Sequence, residues 1–148
     1  MRRNRMEKIN LAQALAENYH RGQFYGTEPY MFHIEEVVRN VERLYEHHPM
    51  LDSLIVVAYL HDIVEDTDMT IDKLKSLQVL NSHEISAIVA ITKHPRTPYG
   101  QYILGLKSDP LARAVKLADA LANLTASIAR GNVTRVNKYT NVIKELHV

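Results

Sequence analysis

The stretch AYLHDIVEDT, Ala58 to Thr67, places four side chains that ligate metals or move protons within six residues: His61, Asp62, Glu65 and Asp66. On a regular helix the adjacent His61 and Asp62 diverge by about 100°, yet both reach one ion lying beside the helix. Glu65 and Asp66 each follow one of them at i+4, so a single pocket can receive all four. An apolar helix ending in such groups is costly to bury unless they meet water, a cation or one another. An isolated His-Asp pair in this setting is ordinarily a solvated helix end.

Two distant residues change that reading. His33 opens the segment after Pro29, and Asp119 sits inside the apolar run AVKLADALANL. An unpaired buried carboxylate there would cost several kcal/mol, so Asp119 needs a partner. Lys116 at i−3 and Asn123 at i+4 share its face. One reading is a purely structural Lys116–Asp119 pair capped by Asn123; the other is a ligand set assembled from three parts of the chain.

The elements that must position these residues all read as helices. Ile9, Leu11, Ala12, Leu15, Ala16 and Tyr19 recur at helical intervals, predicting a first helix over about Glu7 to Gln23, broken by Gly22 and Gly26. After Pro29, Ile34, Val37, Val38, Val41, Leu44 and Tyr45 form the apolar stripe of a second. Leu54 to Leu60 is apolar nearly all round, which fits a buried helix or a buried strand; its length and amphipathic neighbours favour helix. Thr70 caps a short helix with Asp72 in its first turn. Ser82 to Ile91 reads as another, with Ile85, Ile88 and Val89 inward. The following TKHPRTPYGQYILGLKSDP carries two internal prolines and a glycine, so it is expected to be a loop with one helical turn near Tyr102. In that loop Tyr99 and Tyr102 are as suited to packing as to stacking on a substrate. Pro110 is placed for a first turn, Ala112 to Ala129 continues a long helix, and Gly131 ends it. Val133 to Leu146 supplies the last. No strand is needed, and the expected fold is a compact all-α bundle of one domain spanning residues 1–148.

Composition narrows the chemistry. There is no cysteine, so a metal must be held by imidazole or carboxylate, and a cytoplasmic location is expected. A formal charge of +1 provides no general attraction to nucleic acid or anionic membrane. The basic start Met1-Arg-Arg-Asn-Arg reads as a solvated end. No apolar run approaches the roughly 18 residues of a membrane span, and no hydrophobic signal segment follows the arginines.

In their order, His33, His61-Asp62 and Asp119 resemble the H…HD…D signature of the HD-domain metal-dependent phosphohydrolases. More narrowly, HRGQFYGTEPYMFH, AYLHDIVEDTDMT and VKLADALANL resemble the hydrolase domain of RelA/SpoT-type alarmone enzymes and their small single-domain relatives of the metazoan SpoT homolog type. The likeness covers most of the chain, and HD-x-x-ED-T is its specific part. It implies one divalent cation, usually manganese in this family, held by His33, His61, Asp62 and Asp119. Two imidazoles and two carboxylates suit such a first-row metal, which acidifies water and stabilises charge on phosphorus. The resemblance further implies that Glu65 and Asp66 orient or deprotonate the attacking water. It also implies that Lys116 neutralises phosphate or locks Asp119, that Asn123 meets the nucleotide sugar, and that Arg135 and Tyr139 of the RVNKY segment help to hold the nucleotide. His20, His47, His48, His83, His94 and His147 match no metal position and read as surface or loop histidines.

Two departures bear on the substrate. Where the family carries an adjacent Arg-Lys pair, this chain has Phe24-Tyr25-Gly26-Thr27, and the arginine after Asp119 is replaced by Ala120. Metal chemistry should survive both changes, but grip on a highly anionic bis-pyrophosphate is reduced unless Arg21, Lys93, Arg96 or Arg135 supplies replacement charge. The expected activity is pyrophosphate removal from the 3′ position of guanosine tetra- or pentaphosphate. No nucleotidyl-transferase segment follows, so synthesis of the alarmone is not expected. The alternatives are another small-molecule nucleotide, such as NADPH or a deoxynucleotide, and a sensing domain that keeps the pocket without catalysis. The intact Glu65-Asp66 pair argues against the sensor.

Overall fold

The computed structural model describes residues 2–147, with side chains from residue 5 onward. Nine helices occur among them: α1 Arg2–Tyr19, α2 Tyr30–Leu44, α3 Leu51–Leu60, α4 Ile63–Asp66, α5 Ile71–Ser76, α6 Ser82–Ile91, α7 Tyr99–Ser108, α8 Pro110–Ala129 and α9 Val133–His147. Between α1 and α2 lies a small hairpin, β1 Phe24–Tyr25 and β2 Glu28–Pro29. The side chains of the basic start lie outside the described residues as far as Asn4; Arg5 pairs with Asp52 at 3.0 Å.

The all-α expectation holds, and the bundle follows from the apolar stripes. Val37, Val38 and Val41 of α2, Leu54, Val57 and Leu60 of α3, and Val115 and Ala118 of α8 meet in one buried core. Removing such side chains from water is the main favourable term, at about 25 cal/mol per Å² of apolar surface. Two polar clasps seat α2 on α8 beside Asp119: Asn40 Nδ2 donates to the Ala118 carbonyl at 3.0 Å, and Tyr45 Oη to that of Ala114 at 3.2 Å. The caps read from sequence are present. Thr70 Oγ1 accepts from Lys73 N at 3.1 Å, and Pro110 occupies the first turn of α8 behind an Asp109 cap.

Four expectations need correction. Residues 99–108 form a helix rather than a loop, because Pro98 stands at the N-cap, where its missing N–H costs nothing. Tyr102, Ile103 and Leu106 then bury at helical spacing. Helix α1 ends at Tyr19, and the glycine-flanked segment after it pairs as strands, Phe24 opposite Pro29 and Tyr25 opposite Glu28. Val89 is 50% exposed; Ala87, Ile88 and Ile91 face the core instead. His20, expected at the surface, is 2% exposed, because the hairpin folds back over the end of α1.

Gly26 makes the hairpin turn at φ +63°, and a Cβ there would lie 2.0 Å from Nη2 of Arg130. The Arg130 guanidinium in turn sits 5.3 Å from the Tyr25 ring centroid. Gly26→Ala is expected to cost about 1 to 2 kcal/mol for the left-handed backbone and to push Arg130 off Tyr25. Urea unfolding measures the first effect, and unchanged stability would show that the turn tolerates a side chain.

Candidate metal centre

The apolar helix α3 stops at Leu60, and the chain turns at His61 and Asp62 before the single turn of α4. This break aims both side chains inward toward α2 and α8. His61 is 1% exposed and its Nδ1 lies 2.6 Å from the Ala58 carbonyl, which can only accept. Nδ1 therefore carries a proton in every state, and when the ring is neutral it is Nε2 that presents the lone pair.

That lone pair faces anions. His61 Nε2 lies 3.1 Å from Asp62 Oδ2 and 3.3 Å from Asp119 Oδ1. Neither approach has hydrogen-bond alignment, and among the described residues Nε2 is buried without a partner. A lone pair between two carboxylates is repulsive unless a proton or a metal ion intervenes. His33 Nε2 lies 2.9 Å from Asp119 Oδ1 on the other side. One nitrogen from each histidine and one Asp62 oxygen fall within 4.8 Å of one another, so these three could hold a metal ion. Asp119 stands against both imidazoles. The donor set, mixed nitrogen and oxygen with no sulfur, fits a divalent first-row cation.

Around this group the charges are arranged in layers. Lys116 Nζ donates to Asp119 Oδ2 at 3.3 Å, and Asn123 Nδ2 donates to Asp119 Oδ1 at 3.1 Å. Burial works to raise the Asp119 pKa, but the Lys116 ammonium and the two histidines outweigh it and hold this carboxyl well below its usual range. For His61 burial works downward, yet Asp62 and Asp119 prevail and hold the imidazole well above its usual value. The hairpin adds an aromatic cover. Tyr25 stacks on His33 with centroids 4.5 Å apart, and its hydroxyl donates to Asn123 Oδ1 at 2.5 Å.

Beside the histidine cluster opens a cavity of about 310 Å³ lined by Asp62, Glu65, Lys93, Lys116, Lys138 and Tyr139, with Tyr99, Tyr102 and Asn123 also in its wall. Glu65 is exposed there, with Oε1 accepting from Lys93 N at 2.8 Å. Asp66 is outside that wall; partial desolvation, then the carboxylates of Asp62 and Glu65, push it up to about 6. Arg135 donates from Nη2 to Tyr139 Oη at 3.2 Å and reaches the cavity through that ring. Arg21 and Arg96 are exposed and stand outside the wall, so Lys93 alone of the four candidate replacement charges lines it. Asn123 spends both polar atoms on Asp119 and Tyr25. Tyr102 Oη donates to the Ile91 carbonyl at 2.6 Å, so this tyrosine is a packing residue that also forms wall.

The structure brings His33, His61, Asp62 and Asp119 together and sets Glu65 in the adjoining cavity wall with Asp66 outside it, whereas Lys138, Tyr25, Tyr30, His20 and Gln23 around them were not singled out as site residues from sequence. The last four stand inside the HRGQFYGTEPYMFH block, so the signal was present. Their roles depend on a hairpin that no periodicity announces. Lys138 stands inside the RVNKY segment beside Tyr139, so its place too was marked, though its direction into the cavity was not.

No protein-family model matches the chain. A solved structure, described as a metazoan ortholog of SpoT that hydrolyzes ppGpp and plays a role in starvation responses, superposes with a TM-score of 0.74 at 21% identity. The match covers 94% of this chain and 83% of that one. The chain thus has the all-α HD-domain fold of that hydrolase. Among the described residues no helix is long and apolar enough to cross a membrane.

In the metal-free protein the folded His61 pKa stands above its ordinary 6.5, so the proton stabilises the fold fully below about pH 6.5. That contribution fades as pH rises through the folded value. A metal ion taking Nε2 must displace this proton. Binding of Mn²⁺ at neutral pH is therefore expected to release about one proton and to tighten as pH rises. Calorimetry in buffers of different ionisation enthalpy measures the release, and absence of any proton release would contradict the assigned state of His61.

Proposed function

We propose that this protein is a divalent-metal-dependent phosphohydrolase that removes pyrophosphate from the 3′ position of guanosine tetra- or pentaphosphate. The observation that carries the metal is the buried His61 Nε2, which faces Asp62 and Asp119 with no hydrogen-bond partner among the described residues. His33, His61, Asp62 and Asp119 would hold the ion. When bound, it would acidify a water molecule and stabilise negative charge on the phosphorus being attacked. The choice of manganese rests on the family resemblance alone.

The chain's own residues account for the rest. Glu65, tethered to the Lys93 amide, presents a carboxylate into the cavity next to Asp62. Asp66, with a pKa of about 6, is matched to accepting a proton near neutral pH. Either carboxylate takes the proton from water as the water oxygen adds to phosphorus; the bond from phosphorus to the nucleotide 3′-oxygen breaks, and that proton is returned to the departing oxygen, leaving a 3′-hydroxyl and pyrophosphate. Lys93, Lys116 and Lys138 offset the phosphate charge, and Tyr99 and Tyr139 give the sugar and base an aromatic wall.

A second reading, hydrolysis of a phosphate on NADPH or a deoxynucleotide, is favoured by the hairpin. Where relatives carry an Arg-Lys pair, Tyr25 spends one face on His33 and meets Arg130 with its ring. Each charge-assisted hydrogen bond that a substrate forgoes costs about 1.5 to 3 kcal/mol, or roughly one to two decades in affinity. The cavity lysines supply replacement charge, which sustains the alarmone as first choice.

His61→Ala is expected to abolish both manganese binding and hydrolysis; retained metal would defeat the ligand assignment. Glu65→Gln and Asp66→Asn should keep the metal, with turnover falling by roughly 10² to 10⁴ in whichever serves as base. Near-normal turnover in both would place water activation elsewhere. Incubated with ppGpp, manganese-loaded protein should yield GDP and pyrophosphate by chromatography. Intact ppGpp together with phosphate released from NADPH or a deoxynucleotide would replace the first reading with the second.

A further inference from the structure

The acidic turn from Asp62 to Asp66 is too short to hold its own shape. Helix α4 is four residues long, closed by a 2.9 Å bond from Asp66 N to the Asp62 carbonyl and backed by Thr67 Oγ1 on the Ile63 carbonyl. One helical turn is unstable in isolation, since nucleation fixes several dihedrals for a single bond. Its geometry must come from neighbours.

Two neighbours grip its two ends. Tyr30 Oη donates to Asp62 Oδ2 at 2.5 Å, and Gln23 Nε2 donates to the Asp66 backbone carbonyl at 2.8 Å. Both are tied to one buried residue, His20. The Tyr30 ring stacks on it with centroids 4.9 Å apart, and His20 Nδ1 lies 2.8 Å from Gln23 Oε1. The Gln23 amide satisfies both partners in one orientation only, with its oxygen toward the His20 N–H and its NH₂ toward Asp66. Flipped, it would set two carbonyl oxygens against each other. The Asp66 carbonyl, which can only accept, thus fixes the amide orientation, and Gln23 Oε1 in turn holds the His20 proton on Nδ1, so that His20 braces Gln23 in the grip on Asp66.

We infer that Tyr30, Gln23 and His20 are positioning residues that fix Asp62 and Asp66 relative to each other, Tyr30 through the carboxylate and Gln23 through the backbone. The inference rests on the reading of Asp62 as a metal ligand and Asp66 as a proton acceptor. It explains why a histidine that belongs to no ligand set is buried beside one. The two arms are separable: Tyr30 governs metal binding, and Gln23 governs turnover.

Tyr30→Phe keeps the ring and its stack but removes the donor. Its dissociation constant for Mn²⁺, titrated into metal-free protein, should weaken by about 10- to 100-fold while thermal stability is retained. Gln23→Met keeps length but loses the amide. It should leave Mn²⁺ affinity unchanged, lower kcat by about tenfold with KM preserved, and add nothing further in an Asp66→Asn background. In the metal-free protein the same variant should speed hydrogen exchange at the amides of residues 63–67 and not elsewhere. Unchanged Mn²⁺ affinity in Tyr30→Phe, or a Gln23→Met loss that is additive with Asp66→Asn, overturns the proposal. Wild-type protein that binds Mn²⁺ yet cleaves no nucleotide sinks the functional reading alone. The Tyr30→Phe affinity and the Gln23→Met exchange rates would then still decide this one.

Discussion

A neutral imidazole buried with its lone pair between two carboxylates cannot persist without a positive charge, and the rest of the site is organised around that constraint at His61. Its Nδ1 is committed to the Ala58 carbonyl, so the ring cannot turn its proton toward Asp62 or Asp119. Either a proton is added or a cation arrives. Burying charged groups costs several kcal/mol each unless partners compensate. Lys116, His33 and Asn123 provide that compensation for Asp119 when no metal is held, which lets the anionic pocket fold in advance of its ion.

Preorganisation of this kind requires three helices to stay in register. Helix α3 delivers His61 at its C-terminal end, α2 delivers His33 in its first turn, and α8 delivers Asp119 from its middle. A shift of α8 along α2 by one residue would carry Asp119 away from both imidazoles. The Asn40 and Tyr45 bonds to α8 carbonyls oppose that slide, and the valine-rich interface beneath them resists it through packing. Helices α7 and α9 take no part in the ligand cluster. They build the cavity beside it and bring the tyrosines and Lys138 that give that cavity both apolar wall and positive charge.

The hairpin changes the character of the site. It presents Tyr25 to the interior of the protein, where the ring serves the protein's own packing. It covers His33, orients Asn123 and stacks under Arg130. Positive charge at the cavity beside the cluster comes from Lys93, Lys116 and Lys138, which stand on other elements. The histidine–carboxylate cluster and the cationic cavity wall are therefore carried by different parts of the fold, so one can change without the other.

Much of this could be read from sequence because it is local. Helical periodicity follows from side chains every 3.6 residues meeting one core, so α1, α2 and α6 show in the apolar spacing, while α3 shows by its length and neighbours and α8 by its helix formers between Pro110 and Gly131. His61, Asp62, Glu65 and Asp66 are neighbours along the chain. Lys116, Asp119 and Asn123 are neighbours on one helical face, and an acidic residue in an apolar run announces itself by its desolvation cost. Tertiary structure decided the remainder. Helix α7 was hidden because prolines that would break a helix from within stand before it. The burial of His20, the stacking of Tyr25 on His33 and the grip of Gln23 on Asp66 follow from how the hairpin folds over the bundle, and Lys93 and Lys138 reach the cavity from just past α6 and from α9. Such pairings depend on the directions in which separate elements cross, a property of the packed core that no window of sequence contains.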